Sequence, residues 1–148
     1  MAIPALTDSS LDRVTAEIAA SGMAQWLNIS VARDGDDLTY RLGFAEDHIG
    51  NPVIRALHGG VISSFLESCA RLELLARLPD GTAVRTTSVH TSYLRSSRAE
   101  DMLADIQVHR IGRRFAFLEA TGWQGEAGNV VARAAIGIRV LRDEADPA

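Results

Sequence analysis

One long apolar stretch of helical period interrupts a chain that otherwise reads as strands. It spans residues 60–77. With Phe65 as reference and ~100° per residue, Ile62, Cys69, Leu72 and Ala76 fall within about 60° of it. Leu78-Pro79-Asp80-Gly81 then stops the helix with proline and turn chemistry. Four strand-like segments follow, at residues 82–94, 101–111, 114–123 and 129–141, the last two separated by Gly125-Glu126-Ala127-Gly128. Ahead of the helix, residues 8–20 form a short amphipathic helix with Leu11, Val14 and Ile18 on one side. Residues 28–33 and 38–44 flank Asp34-Gly35-Asp36-Asp37 as a hairpin, and residues 46–52 are turn-rich. A helix with an apolar stripe must bury it against another layer, and strands on hairpin-length connections are what the chain offers. The expectation is an α+β domain in which an antiparallel sheet wraps around one long central helix. Residues 1–148 read as a single domain, with 1–22 an N-terminal helical segment and 142–148 a flexible tail.

The composition narrows the function classes. An apolar fraction of 47% with 23% charged residues is that of a soluble globular protein. A net charge of −4 argues against general affinity for nucleic acid. All 15 positive side chains are arginine, good phosphate ligands wherever they cluster. Cys69 is the one cysteine, so no intrachain disulfide forms, and its apolar neighbours mark it as core filler rather than a nucleophile. No signal-peptide pattern and no apolar run near the ~20 residues of a membrane span is present, so a cytoplasmic protein without membrane contact is expected. The histidines share no metal-ligand spacing with the acids or the cysteine, and no metal is expected.

The chemistry-bearing residues gather at the start of the long helix, in His58-Gly59-Gly60-Val61-Ile62-Ser63-Ser64-Phe65-Leu66-Glu67. A helix mouth offers free backbone N–H groups, and a carboxylate inside the helix is a candidate base or nucleophile. At 1.5 Å per residue, Glu67 lies ~12 Å along the axis from Gly59. Groups acting on one carbonyl must converge to about 3 Å, so one copy of the helix cannot supply both. If the motif is catalytic, a second chain completes the site. Plainer readings compete. Glu67 and Arg71 have the i,i+4 spacing of a surface ion pair, the glycine pair suits a tight loop, and His58 suits a cap or a loop anchor. Against the ion pair, Ala70 and Leu74 make the face around Glu67 apolar. Arg95 and Arg98, and Arg110, Arg113 and Arg114 around Gly112, sit at strand junctions either as solvated turn charges or as an anion site.

These residues resemble the hotdog-fold thioesterases, and most closely the phenylacetate-degradation-type (PaaI-like) acyl-CoA thioesterases, over residues 24–141. The resemblance rests on His58-Gly59-Gly60 with an acid nine residues after the histidine. It is supported by Gly50-Asn51-Pro52, by Thr86-Thr87-Ser88 leading to Tyr93-Leu94-Arg95, and by Gly112-Arg113. It implies hydrolysis of an acyl-CoA thioester in homodimers or homotetramers, with active sites at the subunit interface and no cofactor beyond the substrate's own coenzyme A. Glu67 would attack the carbonyl or activate water, the Gly59 N–H would polarise the carbonyl from the other subunit, and His58 would orient the loop. Asn51, Gly60, Thr86 and Ser88 would contact the substrate or its water, and Arg95 and Arg113 would meet the coenzyme A phosphates. Three positions depart from the family pattern: glutamate replaces the commoner aspartate, Asn51 precedes the histidine by seven residues rather than six, and Ser88 stands where aspartate is common. A non-catalytic acyl-CoA binding module on the same fold is the competing reading, and an enoyl hydratase would need a different His/acid set. The single short N-terminal helix is too little for a helix-turn-helix DNA regulator.

Overall fold

The computed structural model describes residues 2–142, so the tail expected at 142–148 lies, after its first residue, outside the described residues. The elements run α1 (Ser10–Ala20), α2 (Gly22–Trp26), β1 (Ile29–Asp34), β2 (Asp37–Leu42), a 3-10 turn (Glu46–His48), β3 (Ile49–Asn51), β4 (Ala56–Leu57), α3 (Gly59–Arg77), β5 (Ala83–Tyr93), β6 (Met102–Ile111), β7 (Phe115–Trp123) and β8 (Val130–Leu141). Six strands form one antiparallel sheet in the order β1-β2-β6-β7-β8-β5. The sheet curls around α3, which gives the expected helix-in-sheet architecture. Two elements go beyond the sequence reading: α2, whose first turn is capped by the Ser21 hydroxyl, and the small β3–β4 hairpin that delivers the chain to α3.

The core side of α3 is where the helical period placed it. Phe65 and Cys69 are fully buried, and Ile62, Leu72 and Ala76 are nearly so. They meet the inward residues of β7 and β8, among them Leu118, Ala120, Ile136 and Ile138. Each fully buried Leu, Ile or Phe contributes about 1.5–3 kcal/mol of transfer free energy. Leu66, Ala70 and Leu74 on the flank are buried as well, while Gly60, Ser64, Glu67, Ser68 and Arg71 leave one face of α3 partly open. At its far end α1 crosses α3, where the Ser10 hydroxyl donates to the Ala76 carbonyl at 2.9 Å.

β5 is an edge strand, and one residue changes its alternation. Up to Thr86 it pairs in simple register (Thr86↔Ile138), but Ser88 pairs with Gly137, so Thr87 is an extra residue in a β-bulge. The residues opposite the buried Val140, Ile138, Ile136, Ala134 and Ala132 are therefore Val84, Thr86, Val89, Thr91 and Tyr93. Those five face α3.

Candidate active site

The helix mouth is built by the β3–β4 hairpin. A Cβ on Gly50 would fall 2.6 Å from the His58 Cα, so only glycine lets these two strands close at this point. His58 has extended backbone (φ −60°, ψ 133°) and acts as the N-cap of α3. Its Nδ1 accepts from the Gly60 N–H at 2.9 Å, and its carbonyl accepts from Val61 and Ile62 at 2.9 and 3.2 Å. Of the first-turn donors this leaves the Gly59 N–H with no acceptor among the described residues. A bare N–H at the positive end of a helix dipole is suited to a developing oxyanion. Because Nδ1 accepts, the neutral ring carries its proton on Nε2, which makes His58 a cap and an outward donor rather than a base at Nδ1.

From Gly59 a stripe at i, i+4 and i+8 runs through Ser63 to Glu67, alongside the inner face of β5. The Tyr93 hydroxyl donates to the Gly59 carbonyl at 2.7 Å, and one turn on the Ser63 and Thr91 hydroxyls are bonded at 2.7 Å. A Cβ on Gly59 would sit 3.3 Å from the Tyr93 hydroxyl oxygen, so the glycine also admits this clasp. Glu67 is half-buried and has no hydrogen bond or ion pair with any described residue. The ion pair with Arg71 that the spacing allows is not formed, and Arg71 is exposed. On the same face of β5, the Thr86 Oγ1 is buried without a partner. An orphaned buried hydroxyl costs about 1–3 kcal/mol, so this one calls for a partner that the single chain does not supply.

The remaining candidates do not all gather here. The Asn51 Oδ1 accepts from the Val53 and Ile54 N–H groups at 3.1 and 3.5 Å, holding its own turn. Ser88 lies on the outer face against Gly137, away from α3, because the Thr87 bulge flips the alternation. Arg95 and Arg113 are at opposite ends of the sheet. The Arg95 guanidinium donates to the Val130 carbonyl at 3.0 Å, whereas the Arg113 turn adjoins Val140. Ten residues of β8 put about 33 Å between them, so they form no single anion site within one chain. Cys69 is core filler, and burial, with Glu73 nearby, pushes its thiol well above its ordinary range. Among the described residues no group of three or more His, Cys, Asp or Glu side chains is placed to hold a metal, and no helix is long and apolar enough to cross a membrane.

Three residues with clear structural work went unmarked in the sequence. Glu73 is buried and bonded to the Tyr40 hydroxyl at 2.7 Å and to Arg77 at 2.8 and 3.1 Å. Burial and the adjacent Glu73 push the Tyr40 hydroxyl well above its ordinary range. His48 is fully buried, accepts from the Ala45 N–H through Nδ1 and donates through Nε2 to the Trp26 carbonyl at 2.9 Å. The His48 carbonyl accepts from the His58 N–H at 2.8 Å. An open-sided cavity of about 650 Å³ adjoins this loop, between Met23 and Trp26 of α2 and the His58–Val61 start of α3. The sequence offers Trp26, Ile54, Leu57, Leu74 and Tyr93 as apolar side chains for an acyl site. Trp26 lines this cavity, Leu57 and Leu74 belong to the core, and Ile54 and Tyr93 are exposed outside it.

An antiparallel sheet wrapped around one long central helix is the hotdog architecture of thioesterases. The family model for the acyl-CoA thioesterase N-terminal domain matches residues 49–138, and the chain belongs to that family. Acyl-CoA thioester hydrolysis is the activity of that family. Solved structures agree on the fold. A thioesterase-superfamily protein superposes with a TM-score of 0.81 at 26% identity, over 91% of this chain and 100% of its own. A phenylacetic acid degradation-related protein from Ralstonia eutropha gives 0.73 at 20% identity, over 86% and 98%. A Bacillus halodurans protein solved with CoA gives 0.74 at 22%, over 92% and 91%. Among curated proteins none matches the sequence.

Proposed function

We propose that this thioesterase works as a dimer joined through the free edge of β5, with each active site shared between two chains. Glu67 of one chain serves as general base or nucleophile, and the Gly59 N–H of the other polarises the thioester carbonyl. The observation that carries this is one pair of groups: a bare N–H and an unpaired acid on the β5-facing stripe of one helix, ~12 Å apart along it. Two-fold pairing of β5 edges runs the two helices in opposite directions and brings each Glu67 towards the partner's helix mouth. The same pairing lays the Arg95 end of one sheet beside the Arg113 end of the other, where they can share the coenzyme A phosphates. In the general-base route, water attacks the carbonyl carbon as Glu67 takes its proton. The oxyanion is held by Gly59, and collapse breaks the C–S bond with proton return to the thiolate. In the nucleophilic route the Glu67 carboxylate attacks the carbonyl, and the C–S bond breaks to release coenzyme A as the thiolate, which takes up a proton. Water then opens the Glu67–acyl anhydride to the free acid and the Glu67 carboxylate. Thr86, with its unpaired hydroxyl, positions Glu67 or the water.

Complementation tests the shared site. Gly59→Pro removes the bare N–H at a first helical position, where proline's backbone fits once the Tyr93 hydroxyl, 3.3 Å from the added Cβ, gives way, and Glu67→Gln removes the acid. Each variant alone is expected to be inactive in a free-thiol release assay. Random exchange between them is expected to restore about a quarter of wild-type activity, because a mixed dimer has one intact site of two. No recovery after verified subunit exchange would place the site within one chain.

A further inference from the structure

We propose that the cavity between α2 and the mouth of α3 receives the acyl group of the substrate, and that Met23 and Trp26 set which acyl groups fit. This rests on the thioesterase reading above and adds the substrate end that the cavity takes. At about 650 Å³ it lies inside the ~300–1,000 Å³ range of small-molecule sites. It adjoins the proposed reacting position, because His58 and Gly60, which line it, flank the bare Gly59 N–H. A thioester carbonyl held there directs one of its two arms into the cavity.

Charge decides which arm. Apart from His58, the ionisable side chain lining the cavity is Asp47, and no arginine lines it. An acidic, arginine-free pocket repels the phosphates of coenzyme A, whereas Met23, Trp26, Ile49 and Val61 suit a hydrocarbon or aryl group. Met23 and Trp26 remain 53% and 48% exposed, apolar surface that an acyl group would cover. The wall is also held in place. The buried His48 ring meets Trp26 edge to face at 4.8 Å between centroids and bonds its carbonyl, while the His48 carbonyl bonds the His58 N–H. One buried histidine thus ties the cavity wall to the helix mouth.

Two measurements on the full chain test this. Met23→Phe narrows the cavity and is expected to lower kcat/KM for octanoyl-CoA at least ten-fold more than for acetyl-CoA, in protein whose thermal midpoint is checked against wild type. Equal losses on both substrates, or no change in their ratio, would overturn the assignment. In the second, octanoyl-CoA is expected to change Trp26 emission, with the signal absent in Trp26→Phe, while coenzyme A alone leaves it unchanged. An equal response to coenzyme A alone would place the wrong arm in the cavity and also overturn it. Because emission reads binding without turnover, a protein that hydrolyses no acyl-CoA yet shows the octanoyl-specific change would refute the hydrolytic reading and leave the cavity assignment standing.

Discussion

Two glutamates on α3, six residues apart, have opposite fates. Each is followed by an arginine at i+4, Glu67 by Arg71 and Glu73 by Arg77, so local spacing gives both the same prospect of an ion pair. Glu73 realises it in the interior, with Arg77 on one oxygen and the Tyr40 hydroxyl on the other. Glu67 stays half-buried and unpaired beside a strand edge. A carboxylate with both oxygens engaged by protein donors is structure, and one left without donors in a partly apolar setting retains the capacity to take a proton or attack a carbon.

The contrast can be broken most sharply at Glu67. Glu67→Gln is expected to lower kcat by about 10³-fold with an unchanged urea midpoint, and full activity in that variant would remove Glu67 from the chemistry. Glu73→Ala should do the reverse. It strands the Arg77 charge and the Tyr40 hydroxyl, and is expected to cost about 3–5 kcal/mol in urea unfolding while the folded fraction keeps its activity. Thr86→Val separates the two roles at one position. Removing an orphaned hydroxyl is expected to raise the thermal midpoint while kcat falls several-fold, and a rise in both would make Thr86 merely strained. Tyr93→Phe deletes one neutral hydrogen bond to the Gly59 peptide and is expected to lower kcat about 2–10-fold with KM little changed.

Asp101 lies between the two glutamates in character and gives the smallest effect. The Phe44 N–H, and beyond it Arg41, hold its carboxyl below the ordinary value of 3.8. The unfolded chain therefore binds the proton first on acidification. The contribution is complete above that ordinary value and is lost as pH falls through the depressed native one. Urea midpoints of wild type and Asp101→Asn are expected to converge as pH drops below about 4.

The sequence made the central helix, its core direction and the four strands after it legible, because burial there obeys a period. The bulge at Thr87 was not, since an extra strand residue leaves no mark in composition, and it carried Ser88 to the outer face. Nor was Glu73 distinguishable from Glu67, because what separates them is Tyr40, 33 residues away in the chain. His48 was passed over for a similar reason: its partners at Ala45, Trp26 and His58 meet only after the β3–β4 hairpin folds. At the site, the His-Gly-Gly mouth and the acid could be read from spacing, whereas the Tyr93 and Thr91 clasps required the register of β5 to be known.

The bare edge of β5 carries a hazard as well as a use. Among the described residues its outer N–H and C=O groups face no neighbouring strand, and over eleven residues it has one arginine, no lysine and no proline to discourage adhesion. Such an edge templates further strands when left open. Solubility and catalysis would then depend on the same surface, so substitutions along Ala83–Tyr93 that weaken self-association should appear first as precipitation during expression, before any loss of rate can be measured.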